Sequence, residues 1–183
     1  MAAYVEALGD ERALILACQA GEEAALSSFY ERYFSQVHRF VLASVGSRED
    51  AEDITAEVFM RALRGIERFE DRERGVLPWL FRIVRNEIAT HYRRKSRRIA
   101  PDSLETQQNG QLGRYDSSET VDRVMDLATS LRQLPRAQRD AVTLRFAAGL
   151  STREAAQAMG MPEGTVRSHL HFGIKALRKA MGA

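Results

Sequence analysis

The chain has 183 residues, 44% hydrophobic and 28% charged. No run nears the roughly 20 apolar residues that cross a bilayer, so a soluble, cytoplasmic protein of one or two domains is expected. The single cysteine, Cys18, excludes an internal disulfide, and the four histidines lack metal-ligand spacing, so neither metal nor cofactor is expected. The net charge of +2 conceals four blocks of alternating sign: −6 over Met1–Phe81 (9 basic, 15 acidic), +6 over Arg82–Arg98 (7 and 1), −3 over Ile99–Thr120 (1 and 4) and +5 over Val121–Ala183 (10 and 5). Two separated basic blocks suit contact with a polyanion at two places and leave the acidic stretch for another partner; on charge alone, solvated helix faces are the alternative.

Met1–Ala20 carries Glu6, Asp10 and Glu11 and has no basic start before an apolar core, so it does not read as a secretory signal. Leu26, Phe29, Tyr30, Tyr33, Val37, Phe40, Val41 and Val45 recur at the spacing of one helix face and predict a long amphipathic helix that Gly46 ends. Ser47 with Asp50 resembles a capping box, and Ala51, Ile54, Val58, Phe59, Ala62, Leu63 and Ile66 predict a second helix. Its start crowds Glu49, Asp50, Glu52, Asp53 and Glu57. Carboxylates there favour the helix dipole, and no Glu–His pair at i, i+3 points to a di-metal site. A protein-docking face with an acidic rim (Glu52, Asp53, Glu57) and an apolar centre (Val58, Phe59) is one reading; a plain solvated helix start is the other.

Pro78 fits the first turn of a third helix, with Leu80, Ile83, Val84 and Ile88 facing inward. The outer side groups Arg82, Asn86, Ala89 and Arg93, with Arg85 and Arg94 in the same basic stretch. Phe81, His91 and Tyr92 interleave with these charges and can stack on unpaired bases while the arginines hold phosphates. Trp79 is expected as a core anchor; the Asn86 amide suits either a base edge or solvent. Pro101–Thr120, rich in Gln, Asn, Ser, Gly and Asp, is expected to be a flexible linker. Val121, Val124, Ala128 and Leu131 form a short stripe, and Pro135 opens a helix through Ala141 and Leu144 toward Gly149.

Leu150–Leu177 predicts two helices joined by a tight turn. Ser151 caps the first with Glu154, Ala155 permits close contact, Gly160 turns the chain and Pro162 restarts it. Val166, Leu170, Ile174 and Leu177 share the inner face of the second helix, leaving Arg167, Ser168, His171, Lys175 and Arg178 outside. Such a helix fits the major groove, where Arg donates two hydrogen bonds to guanine and Ser or His reaches other base edges. The expected architecture is therefore all-α: two small helical domains, 1–98 and 121–183, tethered by 99–120.

The order of these motifs resembles the extracytoplasmic-function sigma factors of the sigma-70 family. DAEDITAEVF is similar to their region 2.2, FEDRERGVLPWLFRIVRNEIATHYRR to regions 2.3 and 2.4, and LSTREAAQAMGMPEGTVRSHL to region 4.2. The resemblance implies that Glu52, Asp53, Glu57, Val58 and Phe59 meet the beta-prime clamp helices of core RNA polymerase. It implies that Arg82, Arg85, Asn86, His91, Arg93 and Arg94 capture the melted minus-10 element. For the minus-35 element it implies Arg153, Thr165, Arg167, Ser168, His171, Phe172 and Lys175. The beta flap and an anti-sigma protein are further implied partners, with no stable homo-oligomer. His169, Phe172 and Ile174 stand where the family tends to carry basic residues, which implies fewer phosphate contacts. A stand-alone helix-turn-helix regulator with a helical sensor or dimerisation domain is the alternative. An enzyme is not expected, because no nucleophile–base pair, phosphate loop or metal spacing is present.

Overall fold

Seven α-helices and one 3-10 turn account for nearly all of the ordered elements, and no strand occurs among the described residues. The computed structural model describes residues 2–70, 75–98, 127 and 129–181, with side chains for 10–70, 75–97, 127 and 129–181. The expected linker Pro101–Thr120 and Val121, Val124 and Ala128 of the expected stripe lie outside the described residues. Leu131 of that stripe is buried.

Helix α1 (Ala2–Gln19) was not legible in the sequence, because its ALILAC run shows no one-sided stripe. It is held by side chains that reach across the fold. Gln19 Nε2 donates to the carbonyls of Ile66 (3.1 Å) and Phe69 (2.7 Å), and Tyr33 Oη donates to Glu11 Oε2 at 2.9 Å. Burial and the Glu11 carboxylate push the Tyr33 phenol well above its ordinary value, so it stays a donor.

Helix α2 (Glu23–Val45) buries Phe29, Tyr33, Val37, Phe40 and Val41, as its apolar spacing requires, while Tyr30 remains exposed. It ends at Gly46, whose φ of 74° lies in the left-handed region that glycine adopts without strain. Helix α3 (Arg48–Gly65) starts on Ser47, whose hydroxyl accepts from Asp50 N at 3.3 Å, and runs into the 3-10 turn Ile66–Arg68. Helix α4 (Val76–Arg98) places Pro78 in its first turn, where no amide is needed. Its free Val76 N–H donates to Glu11 Oε1 at 3.2 Å, so an acidic residue from α1 caps it at the positive end of the dipole.

These four helices close around Phe29, Phe40, Phe81, Val58, Leu80 and Val84, each of which stabilises the fold by about 1.5–3 kcal/mol through burial. Phe40 meets Phe81 edge-on, with ring centroids 5.3 Å apart. Trp79 is half-buried against Phe69 (5.0 Å), in keeping with the expected anchor.

The C-terminal part consists of α5 (Arg136–Phe146), α6 (Thr152–Met159) and α7 (Glu163–Ala180), packed around Leu144, Leu150, Ala155 and Val166. Pro135 flanks α5 and does not enter it. The two parts touch: α4 packs against α6 and α2 against α5.

Candidate nucleic-acid interfaces

The α6–α7 unit is built as its sequence demands. Glu154 N donates to Ser151 Oγ (3.2 Å) and Ser151 N to Glu154 Oε2 (2.8 Å), a reciprocal capping box. Gly160, at φ 66°, makes the left-handed turn, and Pro162 leads into α7. Val166, Leu170 and Leu177 are buried and Ile174 is half-buried, as expected. The fourth buried position is Gly173, which the sequence reading missed. A Cβ there would sit 2.8 Å from Val142 Cγ2 and 3.4 Å from the Gln138 carbonyl, so glycine sets how closely α7 approaches α5.

Opposite this seat the structure brings together Thr165, Arg167, Ser168, His171, Phe172 and Lys175, all exposed, with Arg153 exposed on α6. Their partners are local. Arg167 Nη2 meets Glu163 Oε1 at 2.9 Å, Ser168 Oγ donates to the Gly164 carbonyl at 3.1 Å, and His171 stacks edge-on with Phe172 at 5.4 Å. The Arg167–Glu163 pair is exposed on both sides, so a stronger acceptor displaces it at little cost.

The basic face of α4 is different. Arg82, Asn86, Arg93 and Arg94 are exposed, and Arg93 Nη2 donates to Thr90 Oγ1 (3.0 Å). Arg85 is committed elsewhere: its Nε donates to Asp140 Oδ2 at 3.0 Å and its Nη1 to the Ala158 carbonyl at 2.9 Å. His91 Nε2 lies 3.5 Å from Asp50 Oδ2 and is half-buried. Tyr92 Oη donates to the Ser44 carbonyl at 3.0 Å, and burial raises its phenol above the ordinary value. Phe81 corrects the stacking expectation: it is fully buried against Phe40 and cannot reach a base.

On α3, Glu52, Asp53 and Glu57 form an exposed acidic rim, Glu52 paired with Arg48 (2.9 Å) and Glu57 with Arg61 (3.1 Å). Val58 and Phe59 do not form the expected surface centre. They are 0% and 2% exposed: both belong to the core, and Phe59 lies in the α2–α3 seam, where it meets Phe29 and Tyr30. The apolar groups that do reach the surface are Tyr30 (42% exposed) and Met60 (50% exposed). Beneath the rim, Arg61 also pairs at 3.0 Å with Glu87 of α4, a buried carboxylate that sequence periodicity gave no reason to expect. Among the described residues no group of three or more His, Cys, Asp or Glu side chains is placed to hold a metal, and no helix is long and apolar enough to cross a membrane.

A capped helix pair displaying a polar, basic outer face defines a helix-turn-helix protein, here joined to a second helical unit with its own basic helix. Residues 29–98 match the family model for sigma-70 region 2 and residues 125–177 that for sigma-70 region 4. The chain is 32% identical over 92% of its length to the ECF RNA polymerase sigma factor BldN of Streptomyces coelicolor, spanning 64% of that relative. It is 32% identical over 87% of its length to SigL of Mycobacterium tuberculosis, spanning 90% of that protein. In fold it resembles the sigma factor RpoE of Bartonella quintana, solved with the anti-sigma factor NepR (TM-score 0.71, 23% identity, 86% of this chain and 96% of that one). The chain belongs to the extracytoplasmic-function sigma factors of the sigma-70 family, which are transcription initiation factors. The stand-alone regulator is not favoured, since residues 29–98 match sigma-70 region 2.

Proposed function

We propose that this chain binds core RNA polymerase through the acidic rim of α3 and directs it to promoters whose minus-10 and minus-35 elements are read by α4 and α7. In this division, residues 1–98 serve polymerase binding and minus-10 capture, 99–120 tether the parts and 121–183 read the minus-35 element. The observation that carries the reading is the pair of exposed basic helix faces, one on each unit and each backed by its own buried side. Arg167, Ser168, His171 and Phe172 meet base edges, while Arg153, Thr165 and Lys175 hold phosphates. Arg82, Arg85, Arg93 and Arg94 hold the strand backbone at the minus-10 element, and Asn86 reads a base edge there. His91 contributes once it leaves Asp50. Glu52, Asp53 and Glu57, with Tyr30 and Met60 beside them, meet the beta-prime clamp helices, and the C-terminal unit meets the beta flap. The protein acts by recruitment, without catalysis of its own, in the cytoplasm. An anti-sigma protein controls it, as the NepR complex of the Bartonella protein supports by analogy of fold.

The test adds purified chain to core RNA polymerase on genomic promoter fragments and measures run-off transcripts. Discrete transcripts that depend on the chain are expected; tight, sequence-specific duplex binding by the chain alone, with no effect on transcription, would falsify the reading. Asn86→Ala separates the two elements: closed complexes persist while permanganate-reactive thymines, the mark of melted DNA, diminish.

A further inference from the structure

Phe172 breaks the chemical pattern of the outer face of α7. An apolar ring is stabilised by leaving water, yet that of Phe172 is 55% exposed, and it stacks edge-on with the neighbouring His171, ring centroids 5.4 Å apart and planes at 76°. Around it the face is polar and cationic. Ser168 stands one turn before it, and Lys175, Arg178 and Lys179 follow, all exposed. The one acidic residue of α7, Glu163, is held by Arg167 at 2.9 Å. The backbone that carries the ring is also fixed. Gly173, the next residue, sits without a Cβ against Val142 and the Gln138 carbonyl, so α7 is seated on α5 at this point while Phe172 stays outside.

A face of this charge fits a polyanion, but a phenyl ring cannot serve the phosphates. It carries no charge and donates no hydrogen bond, and setting it against a phosphate would strip water from the anion without replacing it. Among the groups that base edges present in the major groove, the apolar one is the C5-methyl of thymine. The spacing along α7 suits a division of tasks there. At 1.5 Å per residue Phe172 lies about 7.5 Å along the axis from Arg167, about two base-pair steps of 3.4 Å, so the two side chains address different pairs. Arg167 offers paired donors, which suit guanine, and Phe172 offers apolar surface. The edge-on contact with His171 limits how far the ring can turn away.

We propose that Phe172 selects a thymine in the minus-35 element by packing its ring on the C5-methyl group. The proposal rests on the assignment of α7 to that element and adds the base that one of its positions selects. A cation at this place would hold phosphate whatever the sequence. The ring instead gives a contact that depends on the base and little on salt.

The experiment uses the chain bound to core RNA polymerase and a promoter fragment that it transcribes. Each thymine of the minus-35 element, on either strand, is replaced in turn by deoxyuridine, which removes the methyl and keeps every hydrogen-bonding group. Competition binding of the holoenzyme is then measured for the wild type, Phe172→Ala and Phe172→Leu, with circular dichroism melting to verify that the variants stay folded. With the wild type, one thymine is expected at which the replacement weakens binding about fourfold, the worth of one buried methyl. Phe172→Ala should abolish the difference between thymine and uracil there, and Phe172→Leu, which keeps apolar surface, should retain part of it. An element without thymine, wild-type binding indifferent to every replacement, or a difference that survives in Phe172→Ala overturns methyl reading. So does weaker assembly of Phe172→Ala with core polymerase in the absence of DNA, accompanied by an unchanged thymine preference, which would assign the ring to a protein contact. Each of these leaves α7 as the minus-35 reader as long as Arg167→Ala weakens promoters selectively; if Arg167→Ala weakens all of them equally, the assignment of α7 fails as well.

Discussion

Helices α4 and α7 are both long, basic and amphipathic, yet they stand in opposite relations to the rest of the chain. The outward side chains of α7 find partners only on α7 itself, Arg167 on Glu163 and Ser168 on Gly164. On α4 three side chains instead reach across the molecule, Arg85 to Asp140, His91 to Asp50 and Tyr92 to Ser44. A count of basic residues therefore does not separate a displayed cation from a committed one. A carboxylate in another element can occupy a guanidinium as fully as DNA would.

The largest effect expected is on the seat that displays α7. Gly173→Leu drives a side chain into Val142 and the Gln138 carbonyl. The collision exceeds the ~1 kcal/mol that other residues gain over glycine in a helix and should destabilise the C-terminal unit by about 3 kcal/mol. Hydrogen exchange should quicken in α5–α7 and stay unchanged in α1–α3; uniform loosening of both units would erase the distinction between them. Next, Arg167→Ala should cost roughly 1–3 kcal/mol of discrimination at one minus-35 base pair without altering the melting temperature. Equal weakening on every promoter, measured by competition binding of the holoenzyme, would remove Arg167 from base reading.

On the α4 side, Arg61→Ala deprives the buried Glu87 of its cation. Since Arg61 is about half exposed, the loss should be about 1–2 kcal/mol, well under the cost of breaking a fully buried pair. Glu87→Gln in the same background should recover part of the lost melting temperature; no recovery would mean that the charge on Glu87 is not what Arg61 serves. The smallest effect belongs to Lys175→Ala. It should weaken all promoters alike by less than about 1 kcal/mol and make the logarithmic salt slope shallower by about one.

Most of the C-terminal unit could be read in the sequence because its determinants are local. The Ser151–Glu154 box, the turn at Gly160 and the Val166, Leu170, Leu177 stripe all lie within a few residues of what they control. The N-terminal site was less legible for the opposite reason. Periodicity assigned Val58 and Phe59 to a helix face but could not say that α2 covers that face, nor that Phe40 closes over Phe81. Arg85 and Asp140 are 55 positions apart, and Glu11 caps α4 from 65 positions away. No short window contains either pair. α1 escaped for a third reason, an apolar run with no polar side to mark its direction.

The lone cysteine has a consequence for chemistry at the surface. Cys18 is 2% exposed at the end of α1, and burial together with the nearby Glu22 carboxylate holds its thiol above the ordinary value. The nucleophile in reactions with oxidants and maleimides is the thiolate, and here it is both scarce and shielded. Peroxide therefore finds no ready thiol on the folded molecule, and among the described residues the exposed sulfur lies in the thioethers of Met60 and Met181. The same inertness makes the native background silent to thiol-reactive dyes, so a cysteine introduced at the surface of α4 or α7 would take the label while Cys18 does not.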